Sequence, residues 1–164
     1  MRKLVRWFRV TIYSFIGNKM IGEAKTPVFC GGWTILTKKT IVGKNVSFNG
    51  MKIKGNGKVF IGNNFHSGSE CEIITQNHNF EGNKIPYDDT YIIKDVVIGD
   101  NVWLGNRVMI LPGVKIEEGA IIQAGSVVVS NIPCCAIAGG HPAKVFSSRN
   151  KEHYFALKAQ DLEH

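Results

Sequence analysis

Few residues in this chain could do chemistry at neutral pH. His66 and His78 stand twelve residues apart, His141 lies towards the end, and the cysteines are Cys30, Cys71, Cys134 and Cys135. An imidazole with an ordinary pKa of about 6.5 can take a proton from a hydroxyl group or ligate a metal. The cysteines show neither CxxC metal spacing nor the density of a secreted disulfide scaffold, so a reducing cytosol is their simpler home. His78 sits in QNHNF, where a regular pattern gives way to the polar stretch FEGNKIPYDDTYIIKD. Taken alone it reads as a polar loop histidine.

The elements that must position these groups follow from a repeat. From residue 98 the sequence runs IGDNVW, LGNRVM, ILPGVK, IEEGAI, IQAGSV, VVSNIP, and Ile98, Leu104, Ile110, Ile116, Ile122 and Val128 open successive blocks of six. The fifth places hold Val102, Val108, Val114, Ala120, Ser126 and Ile132, while Gly, Asn, Asp, Glu and Pro fill the places between. A period of six fits neither a helix nor a coiled coil; it fits short strands joined at corners and stacked as a parallel β-helix with the aliphatic residue inward. Upstream the register is weaker, with Val42, Val46, Ile61, Cys71 and Ile73 as its markers. Between His78 and Val96 the pattern disappears, and residues 79–95 read as a loop leaving the coil, a place where function often resides.

Composition agrees with one folded domain. The 164 residues are 44% hydrophobic and 20% charged, against disorder or a membrane-embedded bundle, and 18 glycines against 5 prolines predict many turns. A net charge of +7 suits an anionic partner, but there is no interleaved aromatic and basic platform for nucleic acid.

Residues 1–20 read as an amphipathic helix. Leu4, Val5, Phe8, Ile12, Phe15 and Ile16 share one side and Arg2, Lys3, Arg6 and Arg9 the other, with Trp7 beside the arginines. The arginines and the lack of a small-x-small cleavage site argue against an export signal, and the segment is too short and charged to span a bilayer. Two readings follow: the apolar face packs on the rest of the protein, or the helix lies peripherally on anionic lipid at the inner face of a membrane. Residues 21–146 form the coil domain, residues 147–161 have helical spacing and cap its open end, and residues 162–164 look like the start of a vector-encoded histidine tag.

The stretch VVIGDNVWLGNRVMILPGVKIEEGAIIQAGSVVVSNIPCCAIAGGHPAKVF resembles the hexapeptide-repeat acyltransferases, which include galactoside, maltose, serine, xenobiotic and capsular-polysaccharide acetyltransferases. The resemblance covers about residues 40–149. It implies an all-β, left-handed parallel β-helix of triangular section with an N-terminal amphipathic helix and a C-terminal capping helix, assembled as a cytoplasmic homotrimer. It implies acetyl-CoA as cosubstrate, no metal, and His78 as general base for attack of a sugar hydroxyl on the thioester, with backbone N–H groups of the glycine-rich coil available to the oxyanion. Trp103, in the position of the family's VWIG tryptophan, is implied to border the cleft; Gly105, Asn106, Ala124 and Gly125 to line the slot for the pantetheine arm; Lys144 and, more weakly, Arg149 to meet CoA phosphates.

Two departures stand out. Ser130-Asn131-Ile132-Pro133 lacks the lysine common in that family, and His141 stands where Asn or Val is usual. The related zinc-binding carbonic anhydrases need a closely spaced histidine pair, which His66, His78 and His141 do not supply. The resemblance implies O-acetylation of a sugar, a surface-polysaccharide unit or its precursor. Acetylation of a xenobiotic or an amino acid, and a non-catalytic β-helix scaffold, are the competing readings.

Overall fold

The computed structural model describes residues 2–163, with side chains from Leu4 onward, so the reading of His164 and the side chains of Arg2 and Lys3 lie outside it. Helix α1 (Arg2–Met20) leads into a β-solenoid of about six coils. Coil one has β1 (Glu23–Ala24) and β2 (Phe29–Gly32); coil two has β3 (Thr40–Val42), β4 (Ser47–Asn49) and β5 (Lys52–Lys54); coil three has β6 (Val59–Ile61), β7 (His66–Ser69) and β8 (Glu72–Ile74). A hairpin then leaves the stack, with β9 (Gln76–His78) pairing antiparallel to β10 (Tyr91–Ile93). Coil four resumes with β11 (Val96–Ile98), β12 (Trp103–Leu104) and β13 (Met109–Ile110), and coil five follows with β14 (Lys115–Ile116), β15 (Ile121–Ile122) and β16 (Val127–Val128). The last coil ends in β17 (Ala136–Gly140), β18 (Ala143–Ser148) and helix α2 (Lys151–Lys158).

The strands stack as three parallel faces. Face A is β1-β3-β6-β11-β14, face B is β2-β4-β7-β12-β15-β17, and face C is β5-β8-β13-β16. The repeat explains the arrangement residue by residue. Leu104, Ile110, Ile116, Ile122 and Val128 are fully buried and Ile98 nearly so, and the fifth-place residues from Val102 to Ile132 are buried with them. The weaker upstream markers Val42, Val46, Ile61, Cys71 and Ile73 join the same core, together with Phe48, Met51 and Phe65. Corners need left-handed backbone, which asparagine tolerates better than most non-glycine residues. Asn45, Asn64 and Asn101 occupy it with φ of 54°, 53° and 57°, stacked between faces A and B.

Two elements differ from the sequence expectation. The coil, expected to run parallel to residue 146, does so only through β17, which lies beside β15; the chain then reverses into β18, antiparallel to β17. The apolar side of α1 is not its main docking face: Leu4, Val5, Phe8, Ile12 and Phe15 are exposed and Ile16 alone is half-buried. The helix docks by another side, where Tyr13 and Met20 pack against the core and polar contacts add to them. Ser14 Oγ accepts from Cys30 N at 2.9 Å, and Asn18 accepts from Val28 N at 2.9 Å and donates to Val28 O at 3.0 Å. The amphipathic pattern is present, but the coil offers its first strands to the other side of the helix.

Ile110, fully buried between Ile73 above and Val128 below, should cost about 2–5 kcal/mol when cut to alanine, because the cavity lies in a stack that cannot collapse around it. Urea unfolding of Ile110→Ala beside the parent chain measures this.

Candidate functional site

Face B carries an outward column of side chains. Register places His66 beside Trp103, Trp103 beside Ile121, and Ile121 beside Ile137. Parallel strands lie about 4.8 Å apart, so these residues form a continuous wall. Trp103 is half-exposed on it at 52%. A groove of about 380 Å³ runs along this wall, lined by Gly68, Trp103, Gly105, Asn106, Ala124 and Phe146 among others. A second hollow opens at the adjoining corner over Ser69, Asn106, Arg107, Ala124 and Gly125. Five of the residues implied for donor binding, Trp103, Gly105, Asn106, Ala124 and Gly125, are thus brought together along one wall and its corner.

The floor is small for a structural reason. A Cβ at Gly105 would stand 2.5 Å from the backbone nitrogen of Ala124 in the next coil, so stacking itself demands glycine there. At Gly125, φ is +74° and a Cβ would meet nothing within 4 Å, which leaves the corner open to a ligand's close approach. Asn106 is held in place from both sides: its side chain accepts from Ser69 N at 2.8 Å and its carbonyl from Gly125 N at 2.8 Å. Arg107, at the mouth of the corner, pairs with Glu70 at 2.8 Å, an exposed pair of small energetic value.

Lys144 is exposed on β18, two residues from the groove-lining Phe146, but lines neither hollow. Arg149 is directed elsewhere. Its Nε donates to Gly119 O at 2.7 Å and its guanidinium lies 5.7 Å from the Tyr154 ring centroid, so it ties α2 to the coil. Tyr154 donates to Glu118 at 3.0 Å, and Lys158 pairs with the same carboxylate. Burial, then the neighbouring Glu118, pushes the Tyr154 hydroxyl upward, while the hydrogen bond to Glu118 raises Lys158. A third hollow of about 400 Å³ lies between α2 and face B, with His66, Trp103, Arg149 and Tyr154 in its lining.

His78 ends β9, opposite Tyr91. Its ring stacks on Tyr87 with centroids 3.8 Å apart and planes 18° off parallel, and Tyr91 lies at 4.9 Å. Stacking holds the faces of an imidazole and leaves its nitrogens, which lie on the edge, to reach a ligand. The loop fixes Tyr87 through its neighbour. Asp88 accepts from Thr90 Oγ1 at 2.5 Å, from Thr90 N at 2.8 Å and from Asn83 N at 3.1 Å, and these donors hold its carboxyl below the usual range. His78 follows face C, whereas the Trp103 groove lies on face B, and His78 lines none of the three hollows. Among the described residues no group of His, Cys, Asp and Glu is placed to hold a metal ion.

Residues 95–130 match the model of the bacterial transferase hexapeptide, six repeats. The match takes in the regular blocks of coils four and five and part of the turn that follows them. The chain is 43% identical over 63 residues to the galactoside O-acetyltransferase of Escherichia coli (strain K12), a match covering 37% of this chain and 31% of that protein. It is 41% identical over 63 residues to a chloramphenicol acetyltransferase of Morganella morganii, covering 38% of this chain and 30% of that one. The chain therefore spans about a third of the length of these curated relatives. Among solved structures, a galactoside acetyltransferase in complex with coenzyme A superimposes with a TM-score of 0.68 and 25% identity, covering 84% of this chain and 70% of the other.

Sequence reasoning missed His66, Gln123 and Phe146 as parts of the Trp103 wall and Tyr87 as the partner of His78. The block register could have given His66, which precedes Ser67 as Trp103 precedes Leu104. No signal gave Phe146, because it depends on the β17–β18 reversal.

The four thiols differ in access. Cys30, Cys71 and Cys135 are buried and Cys134 is partly open, while burial and the neighbouring Cys134 push the Cys135 thiol up to about 11. A colorimetric thiol titration of the native protein at neutral pH should find one fast-reacting group, removed by Cys134→Ser, with the remainder appearing only in denaturant.

Proposed function

We propose that the chain is an acetyl-CoA-dependent O-acetyltransferase acting on a sugar hydroxyl, a unit of a surface polysaccharide or its precursor, with His78 as general base and a homotrimer as the working unit. The observation that carries this reading is the face B groove, walled by Trp103 and floored by Gly105 and Ala124, with the open Gly125 corner at its end. A slender pantetheine arm suits such a slot, since no floor side chain larger than a methyl group stands in it. Trp103, Gly105, Asn106, Ala124 and Gly125 would hold the arm, and Lys144 would meet the phosphates as a flexible cation. When bound, acetyl-CoA supplies an activated acyl carbon and a thiol leaving group.

His78 takes the acceptor's hydroxyl proton at a ring nitrogen as the new ester bond forms, then returns it to the departing sulfur, so the enzyme ends unchanged. Tyr87 and Tyr91 orient the imidazole plane for this transfer. The separation of His78 from the groove supports the trimer. A neighbouring copy whose His78 hairpin faces this wall would complete the site, and one chain alone would not. The likeness to a galactoside O-acetyltransferase supports a sugar hydroxyl, and free thiols with a need for acetyl-CoA suit the cytoplasm.

Calorimetry with acetyl-CoA should show binding, and a thiol-release assay over sugars, nucleotide sugars and chloramphenicol should show turnover on a sugar. Binding without release on any acceptor would leave a scaffold, and release on chloramphenicol alone would reassign the acceptor. His78→Ala should keep donor affinity and lower kcat by about 10²–10⁴-fold; an unchanged kcat removes His78 as the base.

A further inference from the structure

The apolar stripe of α1 is left uncovered by the coil. Leu4 is 70% exposed, Trp7 65%, Phe8 60% and Phe15 64%, and Val5 and Ile12 lie open between them. Every residue from Leu4 to Arg9 is exposed, so the front of the helix stands clear of the coil. At about 100° per residue, Leu4, Phe8, Ile12, Phe15 and Val5 fall within one arc. The docking residues Tyr13, Ser14, Gly17 and Asn18 fall roughly opposite, and the stripe therefore points away from the protein body.

Charge decides what covers it. Residues 1–20 carry Arg2, Lys3, Arg6, Arg9 and Lys19 and no acid, so this one helix holds +5 of the chain's net +7. Lys19 lies over the Phe15 ring at 5.7 Å, a cation at the very edge of the stripe. Packing α1 against α1 of a second copy would bring together two helices of charge +5 with no carboxylate in either to offset the repulsion. An anionic surface with an apolar interior meets both demands at once: acyl chains take the stripe, and the negative surface attracts the cations of the opposite face, which lie within about a Debye length of it.

We infer that α1 is an in-plane membrane anchor that seats the coil on a bilayer rich in anionic lipid. The helix lies in the headgroup boundary with Leu4, Val5, Phe8, Ile12 and Phe15 immersed and Trp7 at the interface. No helix among the described residues is long and apolar enough to cross a membrane, so the attachment is peripheral. This inference is independent of acyl transfer.

Cosedimentation of the full chain with vesicles of phosphatidylcholine carrying about 30 mol% phosphatidylglycerol tests it, beside pure phosphatidylcholine vesicles. Binding to the anionic vesicles should exceed binding to the neutral ones at least about tenfold and fall in about 0.5 M salt. Phe8→Ser with Phe15→Ser, and separately Arg6→Glu with Arg9→Glu, should each weaken it about tenfold or more. Thermal unfolding of both variants should match the parent, because these side chains are exposed. Equal sedimentation of parent and variants overturns the inference. So does a smaller oligomer for the Phe8 and Phe15 variant in sedimentation velocity without vesicles, since a second copy would then be what covers the stripe.

Discussion

Everything in this molecule rests on coils that repeat closely enough to hydrogen-bond to one another. Each strand must offer its backbone to the strands above and below, as in Gly43 N to Ile61 O, Gly62 N to Ile98 O and Gly99 N to Ile116 O, each at 2.8 Å. That ladder forms only if one aliphatic side chain per strand fills the shaft and each corner turns by the same angle. The flat outer wall follows directly, and so does its floor of glycine and alanine. The groove is a by-product of stacking rather than a pocket carved into a core.

The corners carry the strain of this design. A left-handed residue other than glycine costs roughly 1 kcal/mol, and Asn45, Asn64, Asn101, Glu70 and Arg107 all adopt that conformation. Side chains offset part of it: Asn45 donates to Asn64 at 3.0 Å, and Arg107 pairs with Glu70 across successive coils. The corner column beside the groove thus mixes strained charged residues with the unstrained Gly125, and the open position lies where a ligand would approach.

Much of the architecture was legible because a six-residue period survives without a miss from Ile98 to Val128, and inward positions can be counted. The face B groove was legible only through family resemblance, since nothing in the order of Trp103, Asn106 and Ala124 says that they line one surface. The docking of α1 was not legible. A helical pattern shows which side is apolar but not which side a neighbour presents its backbone to, and here Ser14 and Asn18 outweigh the leucine and phenylalanines. The role of Tyr87 was hidden for a related reason, as its contact with His78 crosses a loop of no regular period. Phe146 reached the groove through a chain reversal, where the parallel register that predicted everything else no longer applies.

The hairpin between coils three and four leaves the stack undisturbed. Val59 pairs with Val96 and Ile61 with Ile98, although 37 residues separate each pair, and Lys94 N closes the base on Thr75 O at 3.0 Å. The prism is therefore indifferent to how long or how varied that insertion is. Selection could exchange it like a cassette, altering the surface it presents without re-engineering the column that carries it.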